Sequence, residues 1–244
     1  MKYMGSKNRI AKYILPIMLK YRKENQYFVD LFCGGCNLID KVQGKRIAND
    51  KNKYLIAMWK GLQKEIKYPE RIDKELYSVA RDVYRGRKVS IEHEMYMTDD
   101  LVGWIGFMGS YNGRFFDGGY SGHNVGKTKR DYISEQIKNT KSQIGLIKGV
   151  NFFSNDYSKF NHKESCIIYC DIPYQNTKKY DISKNFNYDK FWEWCRKTTK
   201  KGHQVFISEY NAPDDFRCVW KKGVTNSMNQ TKTKKPIEKL FTIN

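Results

Sequence analysis

Short apolar runs alternate with stretches of helical period over most of this chain, and that alternation constrains the fold more than any other feature. "YFVDLF" (27–32), "KRIAND" (45–50), "VNFFSND" (150–156), "CIIYCD" (166–171) and "HQVFISEY" (203–210) read as short strands, and "PIEKLFTIN" (236–244) suits a last one. Between them, Ser6 can cap a helix from about Lys7 to Arg22, with a kink expected at Pro16. A short helix is expected from about Asn37. "KNKYLIAMWKGLQKEI" (51–66) places Leu55, Trp59, Leu62 and Ile66 on one face, and Pro69 closes it. Asp131 to about Lys148 and "DKFWEWCRKTTKKG" (189–202) complete the helices, with Gly202 just past the end of the second. Strands alternating with helices imply an α/β fold with a mostly parallel sheet covered on both faces. Residues about 67–130 break the rhythm. They are rich in Tyr, Gly, Arg and Lys, with turn signals at Asn112-Gly113 and Asp117-Gly118-Gly119, and they read as an insertion of helices and a hairpin-like loop.

Charge narrows the partners. A formal net charge of +19 repels itself in a compact state and points to a polyanion, most often nucleic acid. The aromatic fraction of 15% supplies rings for stacking on bases. The N-terminal apolar stretch is broken by Lys12 and Pro16 and does not read as a secretory signal, and no apolar run approaches the roughly 20 residues that cross a bilayer. A cytoplasmic protein is expected. Cys33, Cys36, Cys166, Cys170, Cys195 and Cys218 are not spaced as a disulfide framework. A redox pair at Cys33-Gly-Gly-Cys36, or zinc held with Cys166 and Cys170, is the less favoured reading beside buried free thiols. His93, His123, His162 and His203 show neither metal spacing nor a nucleophile partner.

Acids stand where the strands end. "FVDLFCGGCN" (28–37) carries Asp30 and then Gly34-Gly35, a pair that permits positive φ and close approach of a ligand. Asp50 ends the next strand, an interval suited to an acid that accepts hydrogen bonds from ribose hydroxyls. The stretch lacks the G-x-G-x-x-G dinucleotide pattern, and an ordinary turn with Asp30 capping amides is the plain alternative. Asp171-Ile172-Pro173-Tyr174 stops a strand with a proline that cannot donate to the ladder, which projects an acid and a ring from its carboxyl end. Open α/β sheets bind ligands at that edge.

Together, "YMGSK" (3–7), "FVDLFCGGCN" (28–37), "IAND" (47–50), "FSNDY" (153–157), "IIYCDIPY" (167–174) and "VFISEYNAP" (205–213) resemble the N6-adenine DNA methyltransferases of the DNA adenine methylase type. The resemblance covers almost the whole chain and keeps the family's order: cofactor motif, recognition region, catalytic tetrapeptide. It implies a Rossmann-like sheet with an antiparallel last strand, and S-adenosylmethionine as methyl donor. Tyr3 and Lys7 match the N-terminal cofactor motif, Asp30, Gly34 and Gly35 the loop around the methionine part, Asp50 the acid at the ribose, and Asp156 and Tyr157 the positions beside the cofactor's adenine. A catalytic domain of residues 1–66 and 150–244 would then carry a target-recognition region at 67–149. The host would be a bacterial cell or a phage, and the protein a monomer or weak dimer, as part of a restriction-modification pair or as an orphan methylase.

Asp171-Ile172-Pro173-Tyr174 looks like the family's Asp-Pro-Pro-Tyr, with Ile172 in place of the first proline. Adenine N6 is a poor nucleophile because its lone pair is delocalised. Asp171 can accept one N6 hydrogen bond and the Ile172 carbonyl the other, which favours a tetrahedral nitrogen aimed at the sulfonium methyl. Isoleucine supplies that carbonyl as proline does. Pro173 stiffens the turn, and Tyr174 can stack on the base. Transfer is expected to be direct and in-line, governed by position and electrostatics, on an adenine flipped out of the duplex. In the insertion, Asn112 and the arginines Arg114 and Arg130 suit base edges, Lys127 and Lys129 suit phosphates, and Tyr120 could fill the space left by the flipped base. A surface hairpin packed on the main domain is the equal alternative there, as is a solvated loop for "TKTKK" (231–235). The rival functions are RNA adenine methylation, cytosine N4 methylation, a non-catalytic DNA-binding protein and a thiol redox protein.

Overall fold

The computed structural model describes residues 1–123, 129–175, 185–223 and 237–243. One sheet runs through it, built from β1 (Phe28–Asp30), β2 (Arg46–Asn49), β3 (Val150–Phe153), β4 (Ile167–Asp171), β5 (Gln204–Glu209), β6 (Phe216–Gly223) and β7 (Ile237–Ile243), in the order β3-β2-β1-β4-β5-β7-β6. β1 to β5 are parallel, β7 is antiparallel to β5, and β6 is antiparallel to β7. The expected sheet is therefore present, and the last strand in sequence, β7, runs antiparallel to its neighbours on both sides, so that β6 points the same way as β1 to β5. β6 was not foreseen. "FRCVWKKG" is an edge strand whose residues are mostly exposed, with a register shift between Cys218 and Trp220, so it carries no clean apolar alternation. β1 is buried along its whole length because sheet neighbours flank it and both faces are covered, which its continuous apolar run reflects.

From β1 the chain moves outward to β2 and β3, then returns to place β4 on the other side of β1. The reversal opens a crevice between the carboxyl ends of β1 and β4, where doubly wound sheets bind ligands.

The helices follow the periodic stretches with three departures, one being the helix expected from about Asn37, which is only a 3₁₀ turn at Ile39–Lys41. The first stretch begins as a 3₁₀ turn at Lys7–Arg9, where Ser6 Oγ accepts from the Asn8 amide at 3.3 Å, and becomes α1 at Ala11–Leu19, with Pro16 inside it. The stretch read as one helix from Asp131 to Lys148 is two. After α2 (Lys53–Gln63), α3 (Lys74–Tyr84), α4 (Ile91–Tyr96) and α5 (Asp99–Gly109) come α6 (Tyr132–Lys141) and α7 (Ile144–Ile147). Gln143, at the junction, is buried and donates to Gly35 O at 3.2 Å and Asp40 Oδ2 at 2.9 Å. Its side chain is thereby fixed toward the glycine turn at the break. α8 (Tyr188–Lys200) covers the opposite face.

Residues 67–149 do not form a core of their own. Leu101 to Gly109 of α5 are all buried, in the same cluster as α1, α2 and β3. The close crossing of α5 on α2 requires Gly103, where an added Cβ would lie 2.1 Å from the Tyr54 carbonyl oxygen. Overpacking against backbone cannot be relieved by a side-chain rotation, so Gly103→Ala is expected to lower stability by about 3 kcal/mol, read by urea denaturation. An unchanged denaturation midpoint would show that the two helices can separate without cost.

Candidate active site

Asp30 closes β1, and the chain then turns through Gly34, whose φ is +44°, and Cys36, at φ 55°. The glycine pair is required by Tyr3. A Cβ on Gly34 would lie 2.5 Å from the Tyr3 ring, and one on Gly35 would lie 2.7 Å from Tyr3 Cβ. The ring thus lies directly on the turn and stacks on Phe107 of α5 at 5.9 Å. Gly34 O accepts from Trp59 Nε1 at 3.1 Å, which ties the turn to α2.

Asp50 lies just beyond β2 and holds the same turn. Its Oδ2 accepts from the Gly34 amide at 3.1 Å and its Oδ1 from the Asn52 amide at 2.9 Å. Burial raises its pKa, and these two amides oppose the rise. Asn49, which the sequence reading passed over, stitches three loops together. Its Nδ2 donates to Leu31 O at 3.1 Å and Asn155 O at 3.0 Å, and its Oδ1 accepts from the Asn155 amide at 3.0 Å. The available signal was a polar residue ending an apolar run, immediately before Asp50 in "IAND".

Across the crevice, Asp171 ends β4. Asp30 pairs in register with Tyr169, so Asp171 stands two residues farther along toward the ligand edge. Lys7 Nζ lies 2.7 Å from Asp171 Oδ1, 3.0 Å from Gly5 O and 4.7 Å from the centre of the Tyr174 ring. Burial pushes Asp171 up to about 6, and Lys7 restrains it from rising further. Burial disfavours the Lys7 ammonium, but Asp171 and Glu238 outweigh that and raise its pKa. Asp30 is raised well above the carboxylate range by burial, and its Oδ1 has no hydrogen-bond partner among the described residues. Desolvation keeps this acid neutral while it stands alone, and a cationic donor from a ligand would restore its charge and satisfy the oxygen.

That cleft is lined by Tyr3, Gly5, Ser6, Lys7, Asp30, Gly34, Gly35 and Asp171, among others. Six residues singled out from the sequence therefore share one cavity wall, and Asp50 braces it from behind. Asp156 and Tyr157 stand at the far side of the strand ends. Asp156 Oδ1 accepts from the Ser158 amide at 3.1 Å, and its Oδ2 lies 3.5 Å from Lys51 Nζ. Tyr157 belongs to an aromatic group with Phe32, Phe186, Phe191 and Trp194.

The tetrapeptide is held from several sides. Ile172 is 2% exposed and packs in the apolar cluster that α8 covers, so an apolar side chain is accommodated where the resemblance has proline. The Pro173 carbonyl accepts from Tyr188 Oη at 2.8 Å. The Tyr174 ring meets Tyr210 edge-on at 4.6 Å, and its hydroxyl donates to Glu238 on β7. Glu209, at the end of β5, was given no role from the sequence; its only signal was its place in "VFISEYNAP".

Among the residues proposed to meet nucleic acid, Asn112 is exposed with φ 54°, and Arg114 is half-buried after it. Gly113 packs against the Lys2 carbonyl, where a Cβ would approach to 2.3 Å, so this loop lies beside the N-terminal segment that leads to the cleft. Tyr120 is anchored: its hydroxyl donates to Ile72 O at 2.8 Å and its ring packs on Tyr77 at 5.4 Å. The expected hairpin is a single bridge, Ser110 with Tyr120. Arg130 makes a two-point ion pair with Glu135, at 2.6 and 2.8 Å, and covers the Tyr132 ring at 4.9 Å. Lys129 is exposed with φ 48°. Lys127 and "TKTKK" (231–235) lie outside the described residues.

Cys33, Cys36, Cys166, Cys170 and Cys195 are buried free thiols, and Cys218 is exposed. Burial raises the pKa of both Cys33 and Cys36, the reverse of what a redox nucleophile needs. Among the described residues, no group of three or more His, Cys, Asp or Glu could hold a metal ion, and no helix is long and apolar enough to cross a membrane.

Comparison with known proteins decides the family. The model of the D12 class N6 adenine-specific DNA methyltransferases matches residues 3–235. The chain belongs to that class. As a D12-class chain it is also 26% identical over 188 residues, 71% of its length, to modification methylase StsI of Streptococcus sanguinis. SMU.472, a proposed methyltransferase solved in complex with SAH, is similar over 98% of this D12-class chain at 13% identity and a TM-score of 0.42. The chain spans 28% of the first of these and 52% of the second.

Proposed function

We propose that this protein transfers a methyl group from S-adenosylmethionine to N6 of an adenine flipped out of double-stranded DNA. The observation that carries the reading is the meeting of Asp171 with the glycine turn in one cleft, at the switch point of a sheet whose chain is of the D12 class. The cofactor fits that cleft chemically. Asp30, Asp50, Asp171, Glu209 and Glu238 gather at one sheet edge of a chain with net charge +19, and Asp30 has an unpartnered buried oxygen. A ligand bearing a sulfonium and an α-ammonium matches such a field. When bound, it supplies the electrophilic methyl. Asp30, Gly34 and Gly35 would face its methionine part, Asp50 its ribose, and Asp156 with Tyr157 its adenine, while Tyr3 and Lys7 close the cleft from the N-terminal side.

Asp171 and the Ile172 carbonyl would accept the two N6 protons of the target base, and Tyr174 would stack on it. Lys7 now sits against both Asp171 and Tyr174, so it would have to shift as the base enters. We assign residues 67–149 to target recognition, with Asn112, Arg114, Lys127, Lys129 and Arg130 toward DNA. Tyr120 is the weakest member of that set because its hydroxyl and ring are already engaged. The protein would act as a monomer or weak dimer in the cytoplasm.

Incubating the protein with methyl-labelled S-adenosylmethionine and, separately, duplex DNA and RNA tests the reading. N6-methyladenine in duplex DNA is the expected product. Label in RNA alone, N4-methylcytosine, or DNA binding without consumption of the donor would each replace it with one of the rivals named above. DNA binding should also weaken steeply with salt. Neutralising six phosphates would cost about 10³-fold in affinity between about 50 and 200 mM salt. A flat dependence, followed by fluorescence anisotropy, would remove the basic surface from the DNA grip.

A further inference from the structure

We infer that Glu209 is the positioning residue of the tetrapeptide, fixing the chain as it leaves Tyr174. Glu209 ends β5 beside Asp171 of β4, whose register partner is Ser208, and it is 1% exposed. Its two oxygens are divided between two main-chain donors. Oε2 accepts from the amide of Gln175, the residue after Tyr174, at 2.8 Å, and Oε1 accepts from the amide of Tyr210 at 2.6 Å. Tyr210 in turn sets its ring against Tyr174 at 4.6 Å. One carboxylate thus ties the backbone beyond the tetrapeptide to the residue that buttresses its aromatic ring.

Proline at 173 stiffens one side of Tyr174, and Gln175 on the other side is a turn residue. A buried carboxylate taking both amides supplies that rigidity, and charge-assisted bonds of this kind are stronger than neutral ones. The role is therefore to orient Tyr174 and the Ile172 carbonyl, without contact with donor or base. It rests on the function proposed above.

Protonation would convert one acceptor oxygen into a hydroxyl and break the clamp. Burial pushes Glu209 up to about 7, opposed by its two amide donors and reinforced by the charges of Asp171 on β4 and Glu238 on β7. Among the described residues, the other titratable groups around it are Tyr188 of α8 and Tyr174 and Tyr210 beside it, with Lys239 opposite in register on β7. Activity should therefore rise with pH through about 7, above the step that Asp171 itself imposes near 6.

The test compares wild type with Glu209→Gln, which keeps the shape but offers one oxygen to two amides. Methylation of plasmid DNA by labelled S-adenosylmethionine should lose about 10-fold in kcat, with KM for the donor within about 2-fold. The acid limb of kcat should move from near 7 toward 6, a change that simple loosening of the fold would not produce. Wild-type kcat with an unmoved limb in the variant would overturn the inference while leaving the methyltransferase reading intact. Absence of transfer by wild type would overturn that reading first. Should the variant fail to fold by circular dichroism, Glu209→Asp decides, because it keeps the charge but draws the oxygens back by one methylene from the Gln175 amide: a lower kcat with KM unchanged supports the clamp, and wild-type kcat refutes it.

Discussion

Asp171→Asn is expected to reduce methyl transfer by about 10³-fold, the scale of losing a preorganised electrostatic partner at a reacting centre. In the proposed reaction the carboxylate would accept a hydrogen bond from N6 and balance charge as the nitrogen becomes cationic, and a carboxamide could do only the first. Asparagine preserves an oxygen for Lys7 Nζ, now 2.7 Å away, so the buried ammonium is not stranded. Donor binding, measured by calorimetry, should stay within about 10-fold, because the turn at Gly34 and its brace from Asp50 are untouched. Retained transfer in this variant would exclude the proposed chemistry. A stability signature accompanies the change. Asp171 is raised from 3.8 to about 6, so the folded protein binds its proton more tightly than the unfolded chain. Its contribution is fully present below pH 3.8 and is lost as pH rises through 6. The Asn variant should lack that part of the decline in melting temperature over this window; equal slopes in the two proteins would show that Asp171 titrates normally.

Gly34→Ala should abolish donor binding at ordinary concentrations, with an affinity loss of about 100-fold or more from combined steric and backbone effects. Gly34 adopts φ +44°, and its added methyl would fall 2.5 Å from the Tyr3 ring. Either the turn changes conformation or Tyr3 leaves it. Both outcomes dismantle the wall that Tyr3, Gly34, Gly35 and Asp30 form, and both disturb the Gly34 amide bond to Asp50. The cost is local, because Gly34 lies in a loop and the strands remain paired. Calorimetry against S-adenosylmethionine, with circular dichroism as control, reads the effect. A variant that binds the donor as wild type does would show that Tyr3 is a loose cover instead of a fixed wall.

Comparing Gly34 with Gly103 shows why glycine alone says little in a sequence. One is needed by a tyrosine 31 residues upstream and the other by a carbonyl of α2, and neither partner is adjacent in the chain. The same limit applies to Glu209. Its position in "VFISEYNAP" is visible, but only the sheet order that sets β5 beside β4 brings its oxygens to Gln175. β6 escaped notice because an edge strand of a basic protein needs no apolar alternation. The helix expected to run to Lys148 breaks where Gln143 reaches Gly35 and Asp40, partners more than 100 residues away.

The sequence by itself determined the strand ends and the acids on them, since an apolar run that stops at an acid and then glycine or proline leaves that acid at a carboxyl edge wherever the strand is placed. It also carried the family, through Asp171-Ile172-Pro173-Tyr174 and the turn at Gly34. Tertiary structure alone decided that β1 and β4 are neighbours, that Lys7 returns from the N-terminus to Asp171, and that residues 67–149 share the sheet's core. Those are contacts between distant segments. They are fixed by packing and by the satisfaction of buried polar groups, neither of which leaves a local pattern in the chain.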